Sequence, residues 1–338
     1  MQKSLILLII IFFIGSLCQP IHARTDNSRK LSFNHWVDRV IKQAQTQGIS
    51  EQTLNSAFSN IKQINTSNLD KPLPSDELLG NTLTPRQIRI NRRLVNHYSD
   101  VLFEIKHLFG VNPEVIIALW ATDNIQNQNK PHISAIDRLT SLSYSQPSNK
   151  KIKSELFQAL KIIDDGQIST QQFQSNLDGS LGSTPFNPTS YRDYAIDYDG
   201  DGKYDVWKNY ADIFASSANY LSSIGWQSGE PWGYEIKLPA DFKRHYIGLN
   251  QQRKLSQWQD YGVRLASGAD LPNDPEKMGS IMQISSGEIK SFLVFDNYFA
   301  LLRWKRSQTF AFAVGLMVDK IKQPTDADPI APFANISE

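Results

Sequence analysis

Gly179-Ser180-Leu181-Gly182-Ser183-Thr184-Pro185-Phe186-Asn187-Pro188-Thr189-Ser190-Tyr191, then Asp197-Tyr198-Asp199-Gly200-Asp201-Gly202-Lys203-Tyr204-Asp205, interrupt an otherwise helical pattern. The surrounding tract, 174–210, is dominated by Gly, Ser, Asn, Pro, Asp and Tyr and reads as a long ordered loop region. Long loops inside compact domains usually carry function. The aspartates fit positions 1, 3, 5 and 9 of a calcium loop, where alternate oxygens converge on one hard cation. Asp197, Asp199, Asp201 and Asp205 are the predicted side-chain ligands. Gly202 gives the sharp turn and Lys203 offers its backbone carbonyl. Position 12 is Lys208 instead of a bidentate Glu, so water or Asp212 has to supply the missing arm. The competing reading is a solvated acidic turn. A single loop of this kind predicts structural calcium rather than a sensor, and no organic cofactor is expected.

Helical spacing surrounds this tract. Phe33, Trp36, Val37, Val40, Ile41 and Ala44 share one face, Gly48 stops that helix, and Ser50 caps the next. Residues 62–80 read as a polar, Pro-containing connection. Thr84-Pro85 starts a helix predicted to run to about Phe109. After the turn Gly110-Val111-Asn112-Pro113, the run Glu114 to about Asn124 is a strongly apolar, buried helix. Further helices are expected near 133–144, 150–164 and 212–224. Short strand-like runs follow at Tyr234–Leu238, Ser280–Ile284 and Ser291–Phe295. Helices at Tyr298–Trp304 and Ser307–Ile321 come last. The fold class is mainly α (α+β), with a small β insert.

The start of the chain has the order of a secretory signal: Lys3, an apolar run Leu5–Cys18, then Ile21-His22-Ala23. Cleavage is expected after Ala23, with 1–23 as signal peptide. Fourteen apolar residues fall short of the roughly 20 that a membrane-spanning helix needs. Cys18 is preceded by Leu17, where a lipoprotein signal wants a small residue. The expected location is therefore the periplasm, with the protein exported as a monomer.

Composition sets the remaining bounds. The 338 residues are 40% hydrophobic and 20% charged, with one cysteine, which excludes a disordered chain and a disulfide scaffold. Lys plus Arg is 35 and Asp plus Glu 34, so no general basic field exists for nucleic acid, and none is expected as a partner. Removing Lys3 with the signal leaves 34 against 34.

Taken in order, these pieces resemble the murein lytic transglycosylase B family, exported bacterial enzymes that cleave peptidoglycan. The likeness runs over roughly 31–322. It is carried by Phe33, Trp36 and Gly48-Ile49-Ser50; by Gly110–Pro113 and Trp120; by Gly179–Tyr191 and the aspartate loop; and by Ala218–Leu221, Gly225-Trp226, Phe292–Asn297, Arg303-Trp304 and Ala311–Val314. The resemblance implies a lysozyme-like helical core with an EF-hand-type calcium loop. The implied divisions are an N-terminal helical domain (24–110), the core (111–233), a small β domain (234–295), C-terminal helices packing on the helical domain (296–322) and a tail (323–338). It implies peptidoglycan glycan strands as partner, with cell-wall synthesis or remodelling proteins as further partners. The implied reaction uses one carboxylic acid. That acid protonates the glycosidic oxygen between N-acetylmuramic acid and N-acetylglucosamine, then takes a proton from the muramyl C6 hydroxyl, giving a 1,6-anhydro product. Such an acid needs an apolar pocket that keeps it protonated.

The sequence departs from the family where the chemistry is carried. Asp123 stands where the family has its Glu, one methylene shorter. A misplacement of about 1 Å can cost roughly 100-fold in rate. Ser183 and Pro185 replace family glutamines, and Asn187 a methionine. Trp304-Lys305 replaces a Tyr-Asn pair facing the cleft. Phe186 and Tyr220 keep their family identity and, with Trp304, are the expected sugar-contacting residues. Two main functions follow, a lytic transglycosylase with Asp123 as its single acid/base or a catalytically impaired protein that binds or scaffolds peptidoglycan, with a calcium-stabilised module without a glycan role as a third.

Overall fold

The computed structural model describes residues 32–67, 73–127 and 130–323. The signal peptide, Cys18, the cleavage point after Ala23 and the tail beyond residue 323 lie outside the described residues.

Helices α1 (Phe33–Thr46) and α2 (Glu51–Phe58) start at Ser32 and Ser50, whose hydroxyls accept from the amides of His35 and Thr53. Helix α3 (Ser75–Thr82) lies inside the stretch read as a connection. Asp76 and Glu77 in its first turn suit the positive end of the helix dipole, and Leu78, Leu79 and Thr82 are buried. Too few apolar residues mark α3 for periodicity to find it. The single helix expected over 84–109 is two, α4 (Pro85–His97) and α5 (Ser99–Phe109). The break is Tyr98 (φ −99°, ψ 23°), whose ring packs edge-on against Phe214 at 5.3 Å.

Helix α6 (Pro113–Asn127) is apolar on nearly every side and is buried, as such helices must be. After it come β1 (Ile133–Ser134), α7 (Ala135–Ser145), α8 (Lys150–Asp164) and β2 (Gln174–Ser175), with β1 and β2 paired antiparallel. The tract read as one long loop also contains the short α9 (Pro188–Tyr194), started by Asn187, whose side chain accepts from the Ser190 amide at 2.8 Å. Helix α10 (Tyr210–Ser223) follows.

The β insert comprises β3 (Gly233–Lys237), β4 (Arg253–Lys254), α11 (Leu255–Asp260), β5 (Arg264–Leu265), β6 (Met278–Ser286) and β7 (Glu288–Val294). Its antiparallel sheet has the order β4-β6-β7-β3-β5. It encloses its own core of Ile236, Leu255, Trp258, Val263, Ile281, Leu293 and Phe295. The chain returns to the main body as α12 (Asp296–Trp304) and α13 (Gln308–Lys322).

One continuous apolar cluster joins α1 to α13, so the helices before and after residue 110 share a core. Helix α13 packs on α6, α3 and α4. Arg92 of α4 ties that contact, donating to the carbonyls of Ile321 (3.1 Å) and Gln323 (2.7 Å) at the end of α13. No helix among the described residues is long and apolar enough to cross a membrane.

Candidate functional site

Asp123 sits near the C-terminal end of α6, inside the buried part of the helix, with 6% of its side chain exposed. Both carboxylate oxygens accept hydrogen bonds. Oδ1 takes one from Lys305 Nζ at 2.9 Å, and Oδ2 takes one from Asn127 Nδ2 at 3.2 Å, one helical turn on. Lys305 follows α12 and also reaches Asp178 Oδ2 at 3.3 Å. The carboxylate is therefore not enclosed by apolar groups alone. Asp123 faces an ammonium, and a second carboxylate faces the same nitrogen.

The cluster is sheltered enough for these charges to matter. Burial works against the Lys305 ammonium, but Asp123 and Asp178 outweigh it and hold that group above the ordinary lysine range. Burial likewise pushes the Asp178 carboxyl up, and is outweighed by Lys305 and by the Ser180 hydroxyl and amide, so Asp178 ends below the usual carboxylate range. Arg138 on α7 fixes the Asp178 backbone, with Nη2 donating to its carbonyl at 3.1 Å.

The aromatic residues expected to contact sugar form one wall. Phe186 and Tyr220 meet edge-to-face at 5.5 Å, and Tyr220 and Trp304 lie 5.6 Å apart. Phe186 is 0% exposed and Trp304 6%, so neither offers a ring face to a ligand. They hold Tyr220, the one partly open ring of the three. Burial, with Tyr194 nearby, pushes the Tyr220 hydroxyl above its ordinary range.

Beside Asp123 opens a cleft of about 650 Å³, lined by carboxamides that include Asn124, Asn127, Gln171, Gln174 and Asn176, and by Trp207. Its floor is fastened by Asn176 Nδ2 to the Gly182 carbonyl (3.1 Å), the Ser183 amide to the Val206 carbonyl (2.9 Å) and Trp207 Nε1 to the Gln174 carbonyl (2.9 Å). The Gly179–Tyr191 segment and the aspartate loop are thereby one structural unit.

In the loop, Asp197, Asp199 and Asp201 each present an oxygen within 4.8 Å of the others. Asp197 accepts from the amides of Gly200 (2.8 Å) and Gly202 (2.8 Å), and Gly202 has φ 87°, a left-handed turn that suits glycine. Three of the four expected carboxylates gather. Asp205 is not among them and is a cap, accepting from the amides of Trp207 (2.9 Å) and Lys208 (3.0 Å). Asp212, offered above as a substitute ligand, is fully buried and accepts from the amides of Tyr198 (2.8 Å) and Asp205 (2.8 Å). It closes the loop across its two ends. Burial, reinforced by Asp199 and Asp197, raises its carboxyl above the usual range, although those two amide bonds pull the other way.

A model of the transglycosylase SLT domain matches residues 32–319, most of the chain. The chain belongs to that family. It is 26% identical over 242 residues to membrane-bound lytic murein transglycosylase B of Escherichia coli K12, covering 69% of this chain and 63% of that protein. It thus spans less than two thirds of that relative's length. Among solved structures it resembles SltB3 from Pseudomonas aeruginosa in complex with NAG-NAM-pentapeptide, at 30% identity and TM-score 0.80, over 88% of this chain and 83% of that one. It also resembles the Escherichia coli lytic transglycosylase Slt35 in complex with calcium, at 21% identity and TM-score 0.71, over 88% and 94% of the two chains. The helix-rich, lysozyme-like fold expected from the sequence is the fold of these relatives.

Sequence reasoning placed Asp123 but not its partners. Lys305 registered only as a departure, and Asp178 not at all. A buried lysine two carboxylates away from solvent leaves no local signature, because its partners lie 182 and 127 residues distant.

Proposed function

We propose that this is an exported, periplasmic protein that binds the glycan strands of peptidoglycan in the cleft beside Asp123, and that in the described arrangement it holds the strand without cutting it. The observation that carries this reading is the state of Asp123. A general acid must aim a proton at the glycosidic oxygen. Both oxygens of Asp123 are acceptors instead, one bonded to an ammonium. The glycan assignment rests on family membership, on SltB3 as a relative solved with NAG-NAM-pentapeptide, and on a cleft lined by carboxamides and Trp207, which suit hydroxyl and acetamido groups.

Calcium fits the aspartate loop. Asp197, Asp199 and Asp201 offer hard oxygen donors at alternate positions, and the Lys203 carbonyl would add a fourth. The ion would be structural, stiffening the unit that floors the cleft.

A second reading is favoured by the place of Asp123 at the end of the buried helix, where the family resemblance puts the acid. Asp123 would then act alone as a lytic transglycosylase acid/base. Its carboxyl proton goes to the glycosidic oxygen as the C1–O bond breaks. The muramyl C6 hydroxyl then bonds to C1 and returns its proton to Asp123. Lys305 would have to withdraw first.

Sedimentation with purified peptidoglycan sacculi tests the binding reading. The protein is expected in the pellet, and a protein that stays in the supernatant overturns it.

A further inference from the structure

Lys305 holds two acidic side chains apart. Its Nζ lies 2.9 Å from Asp123 Oδ1 and 3.3 Å from Asp178 Oδ2, and the three side chains are 19%, 6% and 17% exposed. The carboxylates therefore face each other across one nitrogen. Two sheltered carboxylates that meet one ammonium repel each other once that charge is removed, which raises the pH at which the second of them ionises. We propose that Asp178 is the second carboxylate of the site, forming with Asp123 a latent proton-holding pair, and that Lys305 is the lock that keeps this pair fully ionised and the site silent. This inference rests on the proposed role of the cleft beside Asp123, but it concerns the protonation of the pair and not glycan binding.

Three observations support it. Asp178 is built in: its carboxylate accepts from the Ser180 amide (2.9 Å) and hydroxyl (2.6 Å), and its carbonyl from Arg138. Lys305 is also held, since its ammonium lies 5.3 Å from the Phe310 ring centre as well as against both carboxylates. And Lys305 is carried on the short bend between α12 and α13, where the Ser307 amide donates to its carbonyl at 2.6 Å, so its side chain belongs to a connection and not to a helix interior. The groups facing the pair are Lys305 from that link, Arg138 from α7, and the neutral Asn127 and Ser180. Arg138, whose Nη2 donates to the Asp178 carbonyl at 3.1 Å, is the cation that remains when Lys305 is removed.

The test is a pH titration of the aspartate carboxyl carbons by NMR in the full protein. The Lys305→Met variant is expected to gain a titration step between about pH 6 and 8, beside that of Asp319, which Asp178→Asn added to it removes. Lys305→Arg keeps the cation and is expected to match the natural sequence. If Lys305→Met does not fold, Lys305→Gln serves in its place, neutral and able to donate to both carboxylates. No added step in the neutral variant, or the same step in Lys305→Arg, overturns the proposal. Because binding to sacculi is measured separately, a protein that binds glycan but gains no step refutes the lock and leaves the binding reading standing.

Discussion

Lys305 and Asp123 are 182 residues apart in the chain and joined by an ion pair of 2.9 Å within the body of the fold. Asp178 shares the same ammonium, so the three side chains are one network. Removing one partner of a buried pair costs about 3–5 kcal/mol, because a charge is left without compensation. Here Lys305 keeps its other carboxylate, so Asp123→Asn and Asp178→Asn should each cost less, about 1–3 kcal/mol in urea unfolding at pH 7. A loss below about 0.5 kcal/mol for both, the level of an ordinary surface change, would mean the network does not stabilise the fold. The sign with pH follows from Asp178, whose folded carboxyl is held below its usual range. Its contribution is present above the unfolded carboxylate range and is lost as pH falls through the folded value.

The aspartate loop separates a metal role from a capping role. A chelator should lower the melting temperature, and Asp199→Ala should abolish that sensitivity, since Asp199 belongs to the gathered trio. Asp205→Ala should instead destabilise with or without chelator, by about 0.5–2 kcal/mol, because it removes the acceptor for the amides of Trp207 and Lys208. Differential scanning calorimetry with and without chelator distinguishes the two. An unchanged melting curve for the natural sequence in chelator counts against the cation.

Gly182 should not tolerate a side chain. Its φ is 58°, and an added Cβ would collide with the Val206 carbonyl backbone that also accepts from Ser183. Gly182→Ala should cost more than about 1 kcal/mol, with both left-handed strain and a backbone clash contributing. It should also weaken sedimentation with sacculi, since the cleft floor and the aspartate loop meet there. Unchanged stability would show that the two segments can part without cost.

Asp319 gives the molecule a pH dependence remote from the cleft. Burial raises its carboxyl to about 6, although the bond from Trp232 Nε1 (3.1 Å) and the charges of Lys322 and Lys320 pull it down. A folded value above the unfolded one means the native state binds the extra proton. Stability is thus full below about pH 4 as far as this group is concerned, and declines as pH rises through about 6, by roughly 1–3 kcal/mol. Asp319→Asn, which keeps the acceptor for Trp232, should flatten that slope in melting curves between pH 4 and 7. A slope equal to that of the natural sequence would assign the dependence elsewhere.

Much of the fold was legible because its signals are local. Ser50 and Thr84 are hydroxyl residues at helix starts, and each caps as such residues do. The apolar run of α6 could only be buried. Helix α3 was hidden because α13 and α6 supply its stability by packing, not its own periodicity. The break at Tyr98 was hidden for the same reason, being set by the rings of Phe214 and Tyr210 across the fold. In the candidate site, family register points to Asp123, whereas nothing local in the sequence marks Asp178 or the pairing of Lys305. Charge pairing over long sequence distances depends on where helices end in space, and the capping role of Asp205, outside the aspartate trio, depends on the start of the next segment.

On this reading the cleft grips peptidoglycan while Lys305 keeps Asp123 from acting as an acid. Mass spectrometry of the soluble fraction after incubation with sacculi tests it most directly. The natural sequence is predicted to sediment with the sacculi and to release no 1,6-anhydromuropeptides. Release of those products by the natural sequence, abolished by Asp123→Asn, would contradict it.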